Sequence, residues 1–211
     1  MTPVAWEKIE TLPLRSRTSL EWGRAVLADP LPLLVDHAFL EKKAANNALE
    51  LMTHWPDEWF PGWVEIMTGV ARDEAAHLAQ VTRILMRRGA RLERVHKNPY
   101  ANALRLLVRK GDPAEILDRL LVSALIEVRS CERFAVLAEA AGGDEELSRF
   151  YQALFSSELG HYKVFLKLAR KFTAKAPLEA RWQQMLAAET EILARQEPGP
   201  RIHSGWHGTR D

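Results

Sequence analysis

Apolar and small residues recur three or four apart along most of the chain, the period of helices that bury one face. The first long stretch, about 31–54, places Leu34, Ala38, Ala45, Ala48 and Met52 on one stripe. Asp29-Pro30-Leu31-Pro32 opens it, prolines being tolerated in a first turn, and Trp55-Pro56-Asp57 ends it. A second stretch, about 58–88, has Pro61 in its first turns and carries Met67, Val70, Val81 and Ile84. Gly89, following a run of basic residues, suits its C-terminus. Gly111-Asp112-Pro113 restarts the chain, with Asp112 as N-cap and Pro113 at the first helical position. This third helix should run to about 141 with Leu120, Ala124, Cys131 and Phe134 on one face. Gly142-Gly143 breaks it, and Asp144 caps a fourth helix to about 172 with Leu147, Leu154, Phe165 and Leu168 inward. Shorter helices are expected at about 19–28 and 99–110, and a fifth long one at about 177–196 outside the four.

The connections define the topology. Tight turns join helices one to two and three to four, which makes each pair an antiparallel hairpin. The link between the hairpins is long, as a crossover requires. The expected fold is all-α: a ferritin-like four-helix bundle over about 30–172, with one long crossover and peripheral extra helices. One domain should span 1–197, and the tail 198–211, rich in Pro, Gly and His, is expected to be flexible.

Six charged or titratable residues interrupt the apolar stripes. Glu74-Ala75-Ala76-His77 and Glu158-Leu159-Gly160-His161 repeat the pattern Glu-x-x-His, and three residues is just under one helical turn. In each copy the carboxylate and the imidazole therefore leave the same face. A single copy would be close to chance in a chain of twenty glutamates and seven histidines. Each copy, however, follows a lone glutamate on the preceding helix, Glu41 before the first and Glu127 before the second. Four inward carboxylates with two imidazoles cannot neutralise one another, and uncompensated buried charges cost several kcal/mol each. Divalent cations resolve that conflict, and this ligand set on four helices is that of a two-metal carboxylate site. Carboxylate with imidazole suits iron or manganese, and no thiolate set for structural zinc is present.

Weaker candidates surround the six. Asp73, beside Glu74, is placed to orient a ligand histidine, although the second copy has Ser157 there. His37 lies one turn before Glu41 and either lines the site or packs as a core histidine. Glu132 is an alternative to Glu127 but falls out of phase with the stripe. Cys131 is expected in the core.

Composition narrows the setting. With 47% hydrophobic and 27% charged residues and no long apolar run, the chain resembles a water-soluble globular protein with no transmembrane helix. The first residues lack the basic and apolar regions of a signal peptide. A single cysteine excludes an internal disulfide, so a cytoplasmic location is expected.

The net charge of +1 conceals a segregation. Residues 83–110 hold nine Lys or Arg and one acid, and 163–175 hold five and none. Helix C-termini favour some of these, Arg87 and Arg88 in particular. The remainder mark a polyanionic partner, with Arg83, Arg87, Arg88, Arg91, Arg94, Lys97, Arg105, Arg109, Lys110, Lys163 and Lys167 as candidate nucleic-acid contacts.

Four segments together resemble one family. They are Asp36-His37-Ala38-Phe39-Leu40-Glu41-Lys42-Lys43, Arg72-Asp73-Glu74-Ala75-Ala76-His77, Glu127-Val128-Arg129-Ser130-Cys131-Glu132-Arg133-Phe134 and Glu158-Leu159-Gly160-His161-Tyr162. The resemblance is to the MiaE family, tRNA hydroxylases acting on 2-methylthio-N6-isopentenyl adenosine beside the anticodon. It implies a ferritin-like fold and a non-haem centre of two iron ions. It also implies O2-dependent hydroxylation of a terminal methyl on the isopentenyl chain, with tRNA engaged at its anticodon loop. By that resemblance Glu41, Glu74, His77, Glu127, Glu158 and His161 are the iron ligands. Electrons must come from an external donor, a reductase of unknown identity, and a monomer is compatible with the reaction. Three rival readings remain on the residues alone. They are a ferroxidase or manganese-catalase-type protein, a diiron oxygenase acting on a carrier-bound acyl chain, and a tRNA-binding bundle without activity.

Overall fold

The computed structural model describes residues 8–54 and 62–206. Among them are seven α-helices, one 3-10 turn and no strand. We label the helices α1 (Leu20–Leu27), α2 (Pro30–Met52), α3 (Trp63–Arg87), α4 (Pro99–Arg105), α5 (Ala114–Ala140), α6 (Glu145–Ala169) and α7 (Lys175–Ala194). Contacts divide the chain into two compact units, 29–97 and 1–28 with 98–211. No described helix is long and apolar enough to cross a membrane.

The unit 29–97 is the hairpin of α2 and α3. Asp29 caps α2 by accepting from the Leu31 N–H, and Pro30 occupies the first turn as its sequence predicts. Leu33, Leu34, Ala38, Ala45, Ala48 and Leu51 are buried along α2. Trp63 Nε1 donates to the Leu51 carbonyl at 3.0 Å, so the start of α3 meets the end of α2 and the pair is antiparallel. The expected start of α3 near 58 and the Trp55-Pro56-Asp57 stop lie outside the described residues. At the other end Gly89 adopts φ +79, and the Ala90 and Gly89 N–H groups donate to Leu85 and Met86 carbonyls. That is the left-handed closing turn for which glycine is favoured.

The other unit is built around α5. Ser148 Oγ donates to the Ala138 carbonyl and Cys131 Sγ to the Phe155 carbonyl, which makes α5 and α6 antiparallel. Asp144 caps α6 by accepting from Leu147 N–H, as expected. Asp112 does not cap α5, which starts one residue late at Ala114; Glu115 instead accepts from the Gly111 N–H at 3.1 Å. The helix expected at 99–110 stops at Arg105.

α5 departs most from expectation. Its periodicity predicts one buried face, yet nearly the whole circumference is buried from Ile116 to Ala138. α1 covers part of it so closely that a Cβ on Gly23 would stand 2.7 Å from Ala140 Cβ. α7 and the chain after it cover more. Ile202, His203 and Ser204 are buried, so the described part of the expected flexible tail is packed. Trp22 Nε1 donates to Ser204 Oγ at 3.0 Å, and Arg133 Nη2 donates to the Ser204 carbonyl, so polar pairing rather than composition decides the matter.

Candidate metal centre

Each unit positions three of the six predicted ligands. In the α2–α3 hairpin, Glu41, Glu74 and His77 are 4%, 1% and 6% exposed, and one ligand atom from each lies within 4.8 Å of the others. His77 Nδ1 is 3.5 Å from Glu41 Oε2 and 3.5 Å from Glu74 Oε2. A spacing of three from Glu74 to His77 and an antiparallel neighbour at Glu41 are enough to bring them together. In the α5–α6 hairpin, Glu127, Glu158 and His161 are likewise buried and within 4.8 Å by the same measure. His161 Nδ1 is 3.0 Å from Glu158 Oε2.

The donor sets fit a divalent cation. Two ligands about 2.1 Å from an ion at right angles stand about 3 Å apart, and imidazole–carboxylate separations of 3.0 and 3.5 Å are of that order. Each set holds two carboxylates and one imidazole. A buried group of that composition supports metal binding.

Around the ligands the weaker candidates separate. His37 is fully buried and its Nε2 lies 2.6 Å from Glu41 Oε1, so it holds the Glu41 carboxylate. Asp73 is partly exposed and accepts from Arg72 at 2.9 Å. Glu132 joins neither set: it accepts from the Thr18 N–H and hydroxyl and pairs with Arg129 at 3.1 Å. Burial, reinforced by the charges of Glu158 and Glu127, pushes the Cys131 thiol well above its ordinary value and keeps it protonated.

A second buried charge cluster is absent from the sequence reading. Arg129 donates to Glu189 through Nε and Nη2 at 2.8 and 3.0 Å, and to Glu132 through Nη1. Tyr100 donates its hydroxyl to Glu189 at 2.9 Å, and Arg133 lies 4.0 Å over the Trp22 ring. Burial lowers the Arg133 guanidinium to about 10. Burial works against the Arg129 charge too, but Glu132 and Glu189 outweigh it and raise that group above its ordinary value. The signal available in sequence was the run Arg129-Ser130-Cys131-Glu132-Arg133 inside an otherwise apolar helix.

The basic candidates divide as well. Arg83, Arg87, Arg91, Arg94 and Lys97 are exposed in the unit 29–97, with Arg88 partly so. In the other unit Arg105, Lys110, Lys163 and Lys167 are exposed. Arg109 is a structural partner instead, donating through Nε and Nη2 to both Asp118 oxygens at 2.8 Å.

Comparison with known proteins agrees with this chemistry. The family model described as tRNA-(MS[2]IO[6]A)-hydroxylase (MiaE) matches residues 7–204. The chain belongs to this family. A tRNA 2-(methylsulfanyl)-N(6)-isopentenyladenosine(37) hydroxylase of Pseudomonas putida is 41% identical over 184 residues, 87% of this chain and 88% of that protein. The enzyme of the same description from Salmonella typhimurium is 31% identical over 81% of this chain and 61% of its own longer length. A solved structure, protein 43 with aldehyde deformylating oxygenase activity from Synechococcus, matches with a TM-score of 0.84 at 33% identity. The match covers 94% of this chain and 98% of that one. The fold is thereby all-α and ferritin-like, as its helix pattern predicts.

Proposed function

We propose that this protein is a non-haem diiron monooxygenase. On this reading it hydroxylates the isopentenyl side chain of 2-methylthio-N6-isopentenyl adenosine next to the anticodon in tRNA. The carrying observation is the paired ligand set, one Glu and one Glu-x-x-His buried in each hairpin of a chain that the MiaE model spans. Glu41, Glu74 and His77 would hold one ion, and Glu127, Glu158 and His161 the other. When bound, two irons supply activation of O2 for attack on an unactivated C–H bond.

The chain's own contributions are positional. His37 fixes the direction of the Glu41 carboxylate, an arrangement that orients ligands in other metal sites. Burial of all six ligands excludes water from the reacting region. The balanced reaction consumes one O2, two electrons and two protons, and gives the alcohol and one water. A lone buried cysteine cannot carry the electrons, so a separate donor protein delivers them. On this reading the exposed cations of 83–97 and of 163–167 engage phosphates of a cytoplasmic tRNA.

The likeness to the Synechococcus oxygenase favours one second reading, a diiron oxygenase acting on an acyl chain or aldehyde. Nucleoside mass spectrometry of tRNA separates the two. Cells lacking the protein should accumulate the isopentenyl nucleoside and lose its hydroxylated form, restored by the native gene. Unchanged hydroxylated nucleoside in those cells refutes the tRNA reading.

A further inference from the structure

Residues 83–97 combine two properties that phosphate binding alone does not require. The segment carries Arg83, Arg87, Arg88, Arg91, Arg94 and Lys97 against one acid, Glu93. It also holds Met86, Leu92 and Val95, which are 71%, 42% and 73% exposed. These are three of the five large hydrophobic side chains exposed among the described residues. Scattered exposed apolar residues are ordinary on a protein surface, but here three lie within ten positions, interleaved with arginine.

The backbone presents them. Beyond Gly89 the chain leaves α3 and runs without helix or strand to Asn98. His96 anchors that run: its ring stacks on Phe39 at 4.8 Å and 4°, its Nε2 meets Asp36 at 2.7 Å and its Nδ1 meets Lys43 Nζ at 2.8 Å. With His96 turned onto α2, its neighbours Val95 and Lys97 are turned to solvent, the alternation of an extended chain. The segment is thus tied to α2 through His96, while Arg83, Arg87, Arg91, Arg94, Met86, Leu92 and Val95 are exposed along it.

A paired RNA helix offers phosphates and sugar edges, with its base faces stacked away. Apolar side chains gain nothing there. An unpaired loop offers phosphates and exposed base faces at once, and proteins that bind such strands combine cations with base-stacking surfaces. We propose that 83–97 is a docking surface for the unstacked bases of a single-stranded RNA loop. The arginines hold the loop's phosphates, and Met86, Leu92 and Val95 cover its base faces. This inference rests on the tRNA reading and adds to it the surface and the apolar side chains that meet the loop's bases.

Binding of the full-length protein to two RNAs tests it, one a hairpin with an unpaired loop and the other a blunt duplex with the same number of phosphates. The hairpin should bind about tenfold more tightly or better. The combined substitution Met86→Ser, Leu92→Ser, Val95→Ser should remove that preference, leaving duplex affinity, salt dependence and melting temperature unchanged. Arg91→Gln with Arg94→Gln should instead weaken both RNAs and flatten the salt dependence by about 0.7 per lost contact on the unpaired strand. Equal native affinity for the two RNAs overturns the proposal, as does an equal loss on both from the apolar substitutions. It is also overturned if the native protein is a dimer that these substitutions dissociate, since the patch then covers a second copy. Native protein that binds neither RNA counts against the tRNA reading itself.

Discussion

Helix α5 buries charge in two clusters that solve the same problem in opposite ways. In one, Glu127 joins Glu158 and His161 of α6, two carboxylates with one imidazole. In the other, Arg129 and Arg133 meet Glu132 and Glu189, with Tyr100 supplying a further donor. The second cluster contains its own counter-charges and is complete as folded. On the reading proposed above, the first also takes up a divalent cation. A buried cluster whose formal charges cancel is complete without a ligand, whereas one of acids and imidazole is a candidate binding site.

That contrast predicts different responses to removing one member. Arg129→Met should cost about 3–5 kcal/mol, because Glu189 and Glu132 remain buried without their main cation. Urea denaturation of the metal-free protein measures this, and a loss below about 1 kcal/mol would show that the cluster is solvated or dispensable. Adding Glu189→Gln to Arg129→Met should recover part of the loss, since the uncompensated charge is what destabilises.

Removing an acid from the other cluster should do the reverse. Glu158→Gln should leave the metal-free protein as stable as the native one or slightly more so, because it reduces like-charge repulsion. The effect appears on adding metal. Anaerobic ferrous or manganous ion at one hundred times its dissociation constant should stabilise the native protein by about 2.7 kcal/mol, and Glu158→Gln should lose that gain together with ion stoichiometry. A Glu158→Gln protein that melts low without metal and still loads two ions would erase the distinction between the clusters.

The two clusters also differed in how far their residues could be read in advance. The two acid–imidazole clusters were legible because Glu-x-x-His is a property of one helical turn, and the same arrangement occurs twice. Charges at Glu41, Glu74, Glu127 and Glu158 stood out by interrupting apolar stripes, and all four are buried. The Arg129 cluster was hidden because the residues that bury it come from distant sequence. Ser16 and Thr18 precede α1, Glu189 lies on α7, and Ser204 lies in the segment taken for a flexible tail. Local periodicity carries no information about such partners. The same limit applies to Arg109, which sequence placed among phosphate contacts and the structure pairs with Asp118.

His37 links ligand and scaffold and should show an intermediate effect. It is buried against Glu41 at 2.6 Å, and loss of comparable ligand-orienting partners weakens metal binding about 10–100-fold. His37→Ala should therefore raise the dissociation constant of the α2–α3 set more than that of the α5–α6 set, a difference visible as two separate phases in a metal titration. His37→Gln, which keeps a hydrogen-bonding group, should recover part of the affinity. Equal weakening in both phases would assign His37 to general packing.

The smallest effect concerns Asp118, a buried acid neutralised by two arginines. Arg109 and Arg181 both donate to it, at 2.8 Å each. Burial works to raise its carboxyl, but hydrogen bonds from Arg109 and Arg181 outweigh it and hold it below the ordinary 3.8. The folded state therefore binds this proton less readily than the unfolded chain does. The stabilisation is fully present above pH 3.8 and is lost as pH falls through the lower folded value. Asp118→Asn cannot titrate, so its stability should fall less steeply below pH 4 and approach that of the native protein in strong acid. Urea midpoints across that window measure the slope. Parallel curves would mean that Asp118 contributes no more to acid sensitivity than an exposed carboxylate, and that two arginines do not suffice to make a buried acid behave like the self-neutralised cluster on α5.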